Sequence, residues 1–248
     1  MQKKTAKIIY YGPSMLDGSP IVAICTTGSG NTKTGNMFQL YILAADKNRS
    51  PLDINRLGLD TGICGECPLK GIPAPHKTKG TAEKRPCYVV LFQGPLIVWK
   101  GWKAGKYEGI TPAELPEFGA GETIRLGAYG DPAAIPPVII RALISKAAGY
   151  TGYSHQWDLI GSDNRPALAS YTMISADNIT EARRHWKEGR RTFRVIKDIT
   201  ELDKTAEIIC PATEEGGKRT TCADCKSVSY KHLRAQETRE ELVCLRLR

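Results

Sequence analysis

Six cysteines carry the strongest chemical signal in this chain: Cys64, Cys67, Cys87, Cys210, Cys222 and Cys225. Cys64-Gly-Glu-Cys67 is a CxxC in a polar stretch rich in Gly and Pro, and Cys87 follows after a further loop. That spacing lets one short turn put two thiolates on a metal while a later residue closes the site. A thioredoxin-like redox pair needs its CxxC at the start of a helix after a strand, and Pro68, Gly71, Pro73 and Pro75 argue against that context. His76 is a candidate fourth ligand of a Cys3His zinc site, although a lone loop histidine is more often simply solvated. The second group is Cys210-Pro211-Ala212 followed by Cys222-Ala-Asp-Cys225, three thiols without an evident fourth ligand. A single cysteine is often a small buried hydrophobe, which suits Cys25 in its apolar run. It suits the other six poorly, because Gly- and Lys-rich polar residues surround them.

The compartment decides how such thiols are read. No signal-peptide h-region follows Met1, and no run of about 18 apolar residues could span a membrane. The expected location is cytoplasmic, where paired cysteines serve more often as metal ligands or reactive thiols than as disulfides. A formal net charge of +9 is compatible with a nucleic acid partner. Lys and Arg are spread along the chain rather than gathered in a stripe, and aromatics, at 7%, do not interleave with them. An ordinary basic protein is therefore the plainer reading. Gly28-Ser-Gly-Asn-Thr-Lys33-Thr34 superficially suggests a phosphate loop. Its spacing fails, since Thr27 stands where the first Gly belongs and Thr32 precedes the lysine.

These candidates must be held by a scaffold, and the pattern implies α/β. Residues 8–11, 21–25 and 37–43 are short β-rich runs. Residues 46–86 have little periodicity and read as a long structured loop held by its cysteines. Residues 87–92 are then a strand or buried segment, with Trp99, Trp102 and Tyr107 as packing residues. Residues 124–128 are a strand ending in the turn Gly130-Asp131-Pro132. Residues 136–148 have helical periodicity with Val138, Ile139, Leu143 and Ile144 on one face and Gly149 as the stop. Strands are expected at 152–157, 169–174 and 192–196, and a helix at 179–188 capped by Asp177 or Asn178 and closed by Gly189. Alternation of this kind implies βαβ units, a parallel sheet, and a site at the C-terminal ends of its strands.

The C-terminus looks foreign. Residues 228–238 resemble a translated sequencing adapter, from which they differ only at Lys231 and Gln236. The expected organisation is an α/β domain over residues 1–200 carrying the cysteine-rich loop 46–87, a truncated cysteine motif at 201–226, and a non-native tail at 227–248. Cys244 and His232 are accordingly set aside.

The order of motifs resembles an uncharacterised family of tailed phages and prophages, that of gene product 88. The residues that carry it are Gly30-Asn31-Thr32-Lys33-Thr34-Gly35, Cys67-Pro68, Cys87-Tyr88, Gly130-Asp131, Cys210-Pro211-Ala212 and Cys222-x-x-Cys225, across residues 28–226. That family in turn is similar to a reduced radical SAM protein, in which three cysteines hold a 4Fe–4S cluster whose open iron binds S-adenosylmethionine. The resemblance implies a partial (βα) barrel-like parallel sheet with a C-terminal cysteine knuckle, in the cytoplasm of an infected or lysogenic host. It implies Cys64, Cys67 and Cys87 as cluster ligands, Tyr88 near the adenine, and Gly130-Asp131 at the methionine amino group. Ser175 and Asp177 would meet the ribose or carboxylate, and Cys210, Cys222 and Cys225 would hold an auxiliary cluster. The superfamily spacing is CxxxCxxC, whereas Cys87 lies 20 residues after Cys67, and Asp131 stands where a longer acid is usual. Zinc held by the same cysteines in a basic, non-enzymatic nucleic-acid-binding protein is the alternative.

Overall fold

A computed structural model describes residues 4–28, 30, 32–158, 160–196, 198–217, 220–225 and the backbone of 244–246. The chain opens with three antiparallel strands, β1 (Lys7–Pro13), β2 (Pro20–Thr26) and β3 (Phe38–Ala44). The β1–β2 turn closes by Ser14 N–H donating to the Ser19 carbonyl at 2.8 Å, with Gly18 in the left-handed region at φ +76°. Residues 21–25 are wholly buried, as their unbroken apolar run demands of a strand covered on both faces. Cys25 is among them, a small hydrophobe as expected.

Two short helices come next, α1 (Pro51–Arg56) and α2 (Thr61–Cys64), inside the region expected to be loop. The signal for α1 was present: Ser50 accepts from Asp53 N–H, the Asp53 carboxylate accepts from Ser50 N–H, and Pro51 starts the first turn. Helix α3 (Gly94–Lys103) buries Trp99 and Trp102, and the two-residue β4 (Glu108–Gly109) pairs with β1. Residues 87–92 are neither strand nor buried segment, except that Leu91 is buried; Val90 and Phe92 are exposed.

From here the chain alternates: α4 (Leu115–Gly119), β5 (Thr123–Tyr129), α5 (Pro137–Ile144), β6 (Gly149–Ser154), α6 (Arg165–Tyr171), β7 (Met173–Ala176), α7 (Ile179–Lys187), β8 (Thr192–Val195) and β9 (Ile208–Ile209). A single helical turn, α8 (Cys222–Cys225), follows. The backbone of β10 (Cys244–Arg246) pairs parallel with β8 and β9. The rest of the expected non-native tail lies outside the described residues.

The strand order is β4-β1-β2-β3-β5-β6-β7-β8-β10-β9, and every pairing except β1–β2 and β2–β3 is parallel. Among the described residues no pairing joins β4 to β9. The architecture is therefore mixed α/β around a mostly parallel sheet. Its main core gathers β2, β3 and β5 under α3, α5 and α6, with Ile24, Leu40, Ile42, Ile124, Leu126, Ile140 and Leu143 buried. Each such side chain contributes roughly 1.5–3 kcal/mol by leaving water.

Three local expectations give way. Helix α5 buries Ile140 while Val138 is 68% exposed, because the stripe that meets the sheet runs through 139, 140, 143 and 144. Gly149 begins β6 rather than ending that helix. Residues 169–171 close α6 instead of opening a strand, since Pro166 starts a helical turn that buries Ala167, Leu168 and Tyr171. Of the two capping candidates, Asn178 accepts from Glu181 N–H. No helix among the described residues is long and apolar enough to cross a membrane.

Candidate metal centre

The C-terminal ends of β5, β6, β7 and β8 open onto a cleft of about 460 Å³. Cys64, Cys67 and Cys87 line it, together with Tyr88, Gly130, Asp131, Ser175 and Asp177. Residues expected to act together from sequence therefore share one cavity, although they span more than a hundred positions. His76 does not line it; its side chain is exposed and lies 3.5 Å from Glu83. A lone loop histidine behaves here as one expects of a solvated side chain.

The CxxC loop is built as a helix end. Cys64 N–H donates to the Asp60 carbonyl at 2.8 Å and Gly65 N–H to that of Thr61 at 2.7 Å. Gly65 then turns at φ +52°, and a Cβ there would fall 2.0 Å from Gln156 Oε1. Gln156, 1% exposed, clamps the loop: its Nε2 donates to the Cys64 carbonyl at 3.0 Å and its Oε1 accepts from Glu66 N–H at 3.4 Å. Lys70 Nζ donates to the Gly65 carbonyl at 2.6 Å. Cys87 is brought alongside by its N–H donating to the Leu69 carbonyl at 3.1 Å, and Arg85 Nη1 holds the Cys87 and Val89 carbonyls.

Gly130 earns its place by contact. At φ +81° any Cβ would meet Ile42 Cβ at 2.7 Å, so the end of β5 can lie against β3 only with glycine there. Asp131 follows, and its carboxylate is largely consumed by the protein. Oδ1 accepts from Ala133 N–H and Oδ2 from His155 N–H, both at 2.9 Å, and the Ser154 hydroxyl also donates to it. Burial pushes its pKa up against those hydrogen bonds. In this arrangement Asp131 fixes the end of β6.

His155 is the residue that sequence reasoning missed. Its Nδ1 lies 3.3 Å from Cys67 Sγ and its Nε2 3.3 Å from Asp177 Oδ1. Burial works against its charged form, but Asp177 and Cys67 outweigh that and raise its pKa to about 10. A histidine beside a thiol with a carboxylate on its other nitrogen is the arrangement by which proteins orient a metal-binding or proton-carrying imidazole. No local motif marks it.

Burial raises the Cys64 thiol well above its usual pKa, with Asp60, Cys67 and Cys87 adding to the effect. Burial likewise raises that of Cys87, opposed by Arg85. Such sulfurs ionise when a metal supplies the missing positive charge. Two buried donors, the Tyr129 hydroxyl and Arg85 Nε, belong to residues lining this cleft and have no hydrogen-bond partner among the described residues. A centre bearing sulfur acceptors fits both deficits.

Tyr88 borders the same cleft, its hydroxyl accepting from Arg125 Nη2 at 2.5 Å and its ring 5.6 Å from that guanidinium. Arg125 also lowers the Cys222 thiol pKa against burial, so one arginine stands between Tyr88 of the first cleft and the second cysteine group. Cys210 and Cys222 pack together with Ala212 and Phe193, and Phe193 in turn lines the first cleft. Gly216 sits so close to the Cys210 carbonyl that a Cβ would fall 2.1 Å from it, so the turn after Cys210 closes only with glycine there. Helix α8 hangs from the loop before β3: Cys222 and Ala223 N–H donate to the Lys33 and Thr34 carbonyls at 3.0 and 3.1 Å. The phosphate-loop lookalike thus serves as a seat for the second cysteine pair. Any fourth ligand near Val228 lies outside the described residues.

Among the described residues, Asp158, Glu181 and His185 are the one group placing three candidate ligand atoms within 4.8 Å of one another. Arg184 pairs with Asp158 and approaches His185, as does Arg190. Burial and these two arginines push the His185 pKa down to about 4. Positive charge on both sides makes this an ion-pair network unsuited to a cation. The Cys64, Cys67 and Cys87 sulfurs do not all lie within 4.8 Å of one another, so at least one pair exceeds the ~3.8 Å between ligands of one tetrahedral zinc at a Zn–S length of about 2.3 Å. No protein-family model, curated protein or solved structure matches the chain.

Proposed function

We propose that this is a phage-type metal-cluster protein holding an iron–sulfur cluster on Cys64, Cys67 and Cys87, and that it works as a radical SAM-like enzyme. The observation that carries the proposal is the convergence of those three thiols with Gly130, Ser175 and Asp177 in one cleft at the C-terminal ends of parallel strands. The sheet is taken as an arc of a partial (βα) barrel. A cluster puts each thiolate on a different iron and so suits a set in which at least one pair of sulfurs lies further apart than one zinc ion allows. With three protein ligands it would retain an open position, and one-electron chemistry is what such a group supplies.

The chain's own residues have separable tasks. Gln156 and Lys70 hold the CxxC turn, Asp131 holds His155, and Asp177 orients the His155 ring towards Cys67. Gly130, Tyr88, Ser175 and Asp177 would border S-adenosylmethionine, and Cys210, Cys222 and Cys225 would hold an auxiliary cluster. Anaerobic purification followed by iron, sulfide and zinc analysis tests the reading. Brown protein with iron and sulfide in equal amounts supports it; colourless protein with stoichiometric zinc refutes it.

One observation favours a second reading. Cys67, His155 and Asp177 stand in the order of a thiol nucleophile, its base and an orienting carboxylate. Metal-free protein in which iodoacetamide alkylates Cys67 far faster than Cys64 or Cys87 would favour it.

A further inference from the structure

We propose that the Tyr129 hydroxyl donates a hydrogen bond to a sulfur of the centre at Cys64, Cys67 and Cys87 and thereby raises its reduction potential. The inference rests on the iron–sulfur reading above and adds a residue to which neither the cysteine motifs nor the strand-end motif assigns a role.

Tyr129 is the last residue of β5, and its side chain has little freedom. Gly130 beside it is locked against Ile42, and Asp131 N–H donates to the Ile63 carbonyl at 2.7 Å, one residue before Cys64. The ring is 3% exposed and lines the cleft together with Cys64 and Asp60. Its hydroxyl is enclosed and has no hydrogen-bond partner among the described residues. Asp60, the nearby carboxylate, takes the Asn55 amide at 2.8 Å instead. Burial pushes the Tyr129 hydroxyl's pKa well above its usual value, and the nearby Cys64 and Asp60 add to the effect. A buried donor left without an acceptor is costly, and the acceptors missing here are those a sulfur-rich centre would bring. Arg85 Nε, enclosed and likewise without a partner among the described residues, belongs to the same wall.

The sign follows from charge. Reduction adds an electron to the centre, and a donor aimed at its sulfur stabilises the more negative state. Removing that donor makes reduction harder.

The test uses the full chain reconstituted anaerobically with iron and sulfide, titrated with dithionite and followed by electron paramagnetic resonance. Tyr129→Phe is expected to retain its iron and to need a tenfold higher reduced-to-oxidised titrant ratio, about 59 mV for one electron. Tyr150→Phe, whose hydroxyl donates to the Ser170 carbonyl at 3.2 Å outside the cleft, should leave the midpoint unmoved. In the unmutated protein, electron–nuclear double resonance should show an exchangeable proton coupled to the centre, and that signal should vanish in Tyr129→Phe. Iron present with an unmoved midpoint in Tyr129→Phe overturns this proposal alone. A wild-type chain that takes up no iron overturns the preceding reading and this one together.

Discussion

Replacing Gly65 by alanine puts the construction of the CxxC turn to a direct test. Gly65 occupies φ +52°, ψ −134°, a region closed to residues with a Cβ, and the new methyl would sit 2.0 Å from Gln156 Oε1. The backbone strain is worth about 1–3 kcal/mol. Gln156 must also swing away, losing its bonds to the Cys64 carbonyl and the Glu66 N–H, each worth about 0.5–1.5 kcal/mol net. Together these give a loss of roughly 2–6 kcal/mol. At about 2–4 °C per kcal/mol for a chain of this size, the melting temperature should fall by at least about 4 °C. Thermal unfolding followed by circular dichroism on metal-free protein reads that loss without any assumption about the metal. Metal analysis of the reconstituted variant should show less metal at the first site. Adding Gln156→Ala should remove the clash but not the backbone strain, so the two substitutions should be less than additive. A variant melting within about 1 °C of wild type and holding as much metal would refute the argument.

Two further outcomes are expected. Arg194 and Glu207, both almost fully buried, form a two-pronged pair at 2.8 and 2.7 Å that ties β8 to the segment leading into β9. Arg194→Ala leaves a buried carboxylate uncompensated and should cost roughly 3–5 kcal/mol in urea unfolding; a loss below about 1 kcal/mol would show that the pair is not enclosed. The His185 pKa is lowered to about 4 by burial and by Arg184 and Arg190. A histidine depressed below its ordinary value of about 6.5 stabilises the fold fully above that pH and loses the contribution as pH falls through 4. Stability measured between pH 7 and 4 should therefore decline more steeply in wild type than in His185→Gln, and parallel curves would contradict the assignment.

The outline of this protein is written locally. Apolar runs such as residues 21–25 can be satisfied only inside a sheet, and the Asn178 cap and Gly189 bracket α7 by backbone hydrogen bonding and left-handed geometry. Thiols in polar surroundings marked the metal-binding candidates because residue type alone carries that chemistry. Even α1, assigned to loop from its weak periodicity, carried a readable capping box at Ser50 and Asp53. Where local signals competed, tertiary packing decided. Residues 169–171 have strand-like composition but close a helix, because Leu168 and Tyr171 meet the core only on that face.

His155 and Gln156 could not be found by spacing. They reach Cys67 and the Cys64 carbonyl across about 90 residues, because β6 lies between β5 and β7 and its C-terminal end faces the CxxC turn. Asp177 meets His155 for the same reason: β6 and β7 run parallel, so their ends emerge side by side. The sequence alone determined which atoms were available for chemistry and marked the unbroken apolar strands such as residues 21–25, since both depend on residue type and short-range pattern. Which of those atoms face one another was decided only by the order and direction of the strands, which nothing in the spacing along the chain records.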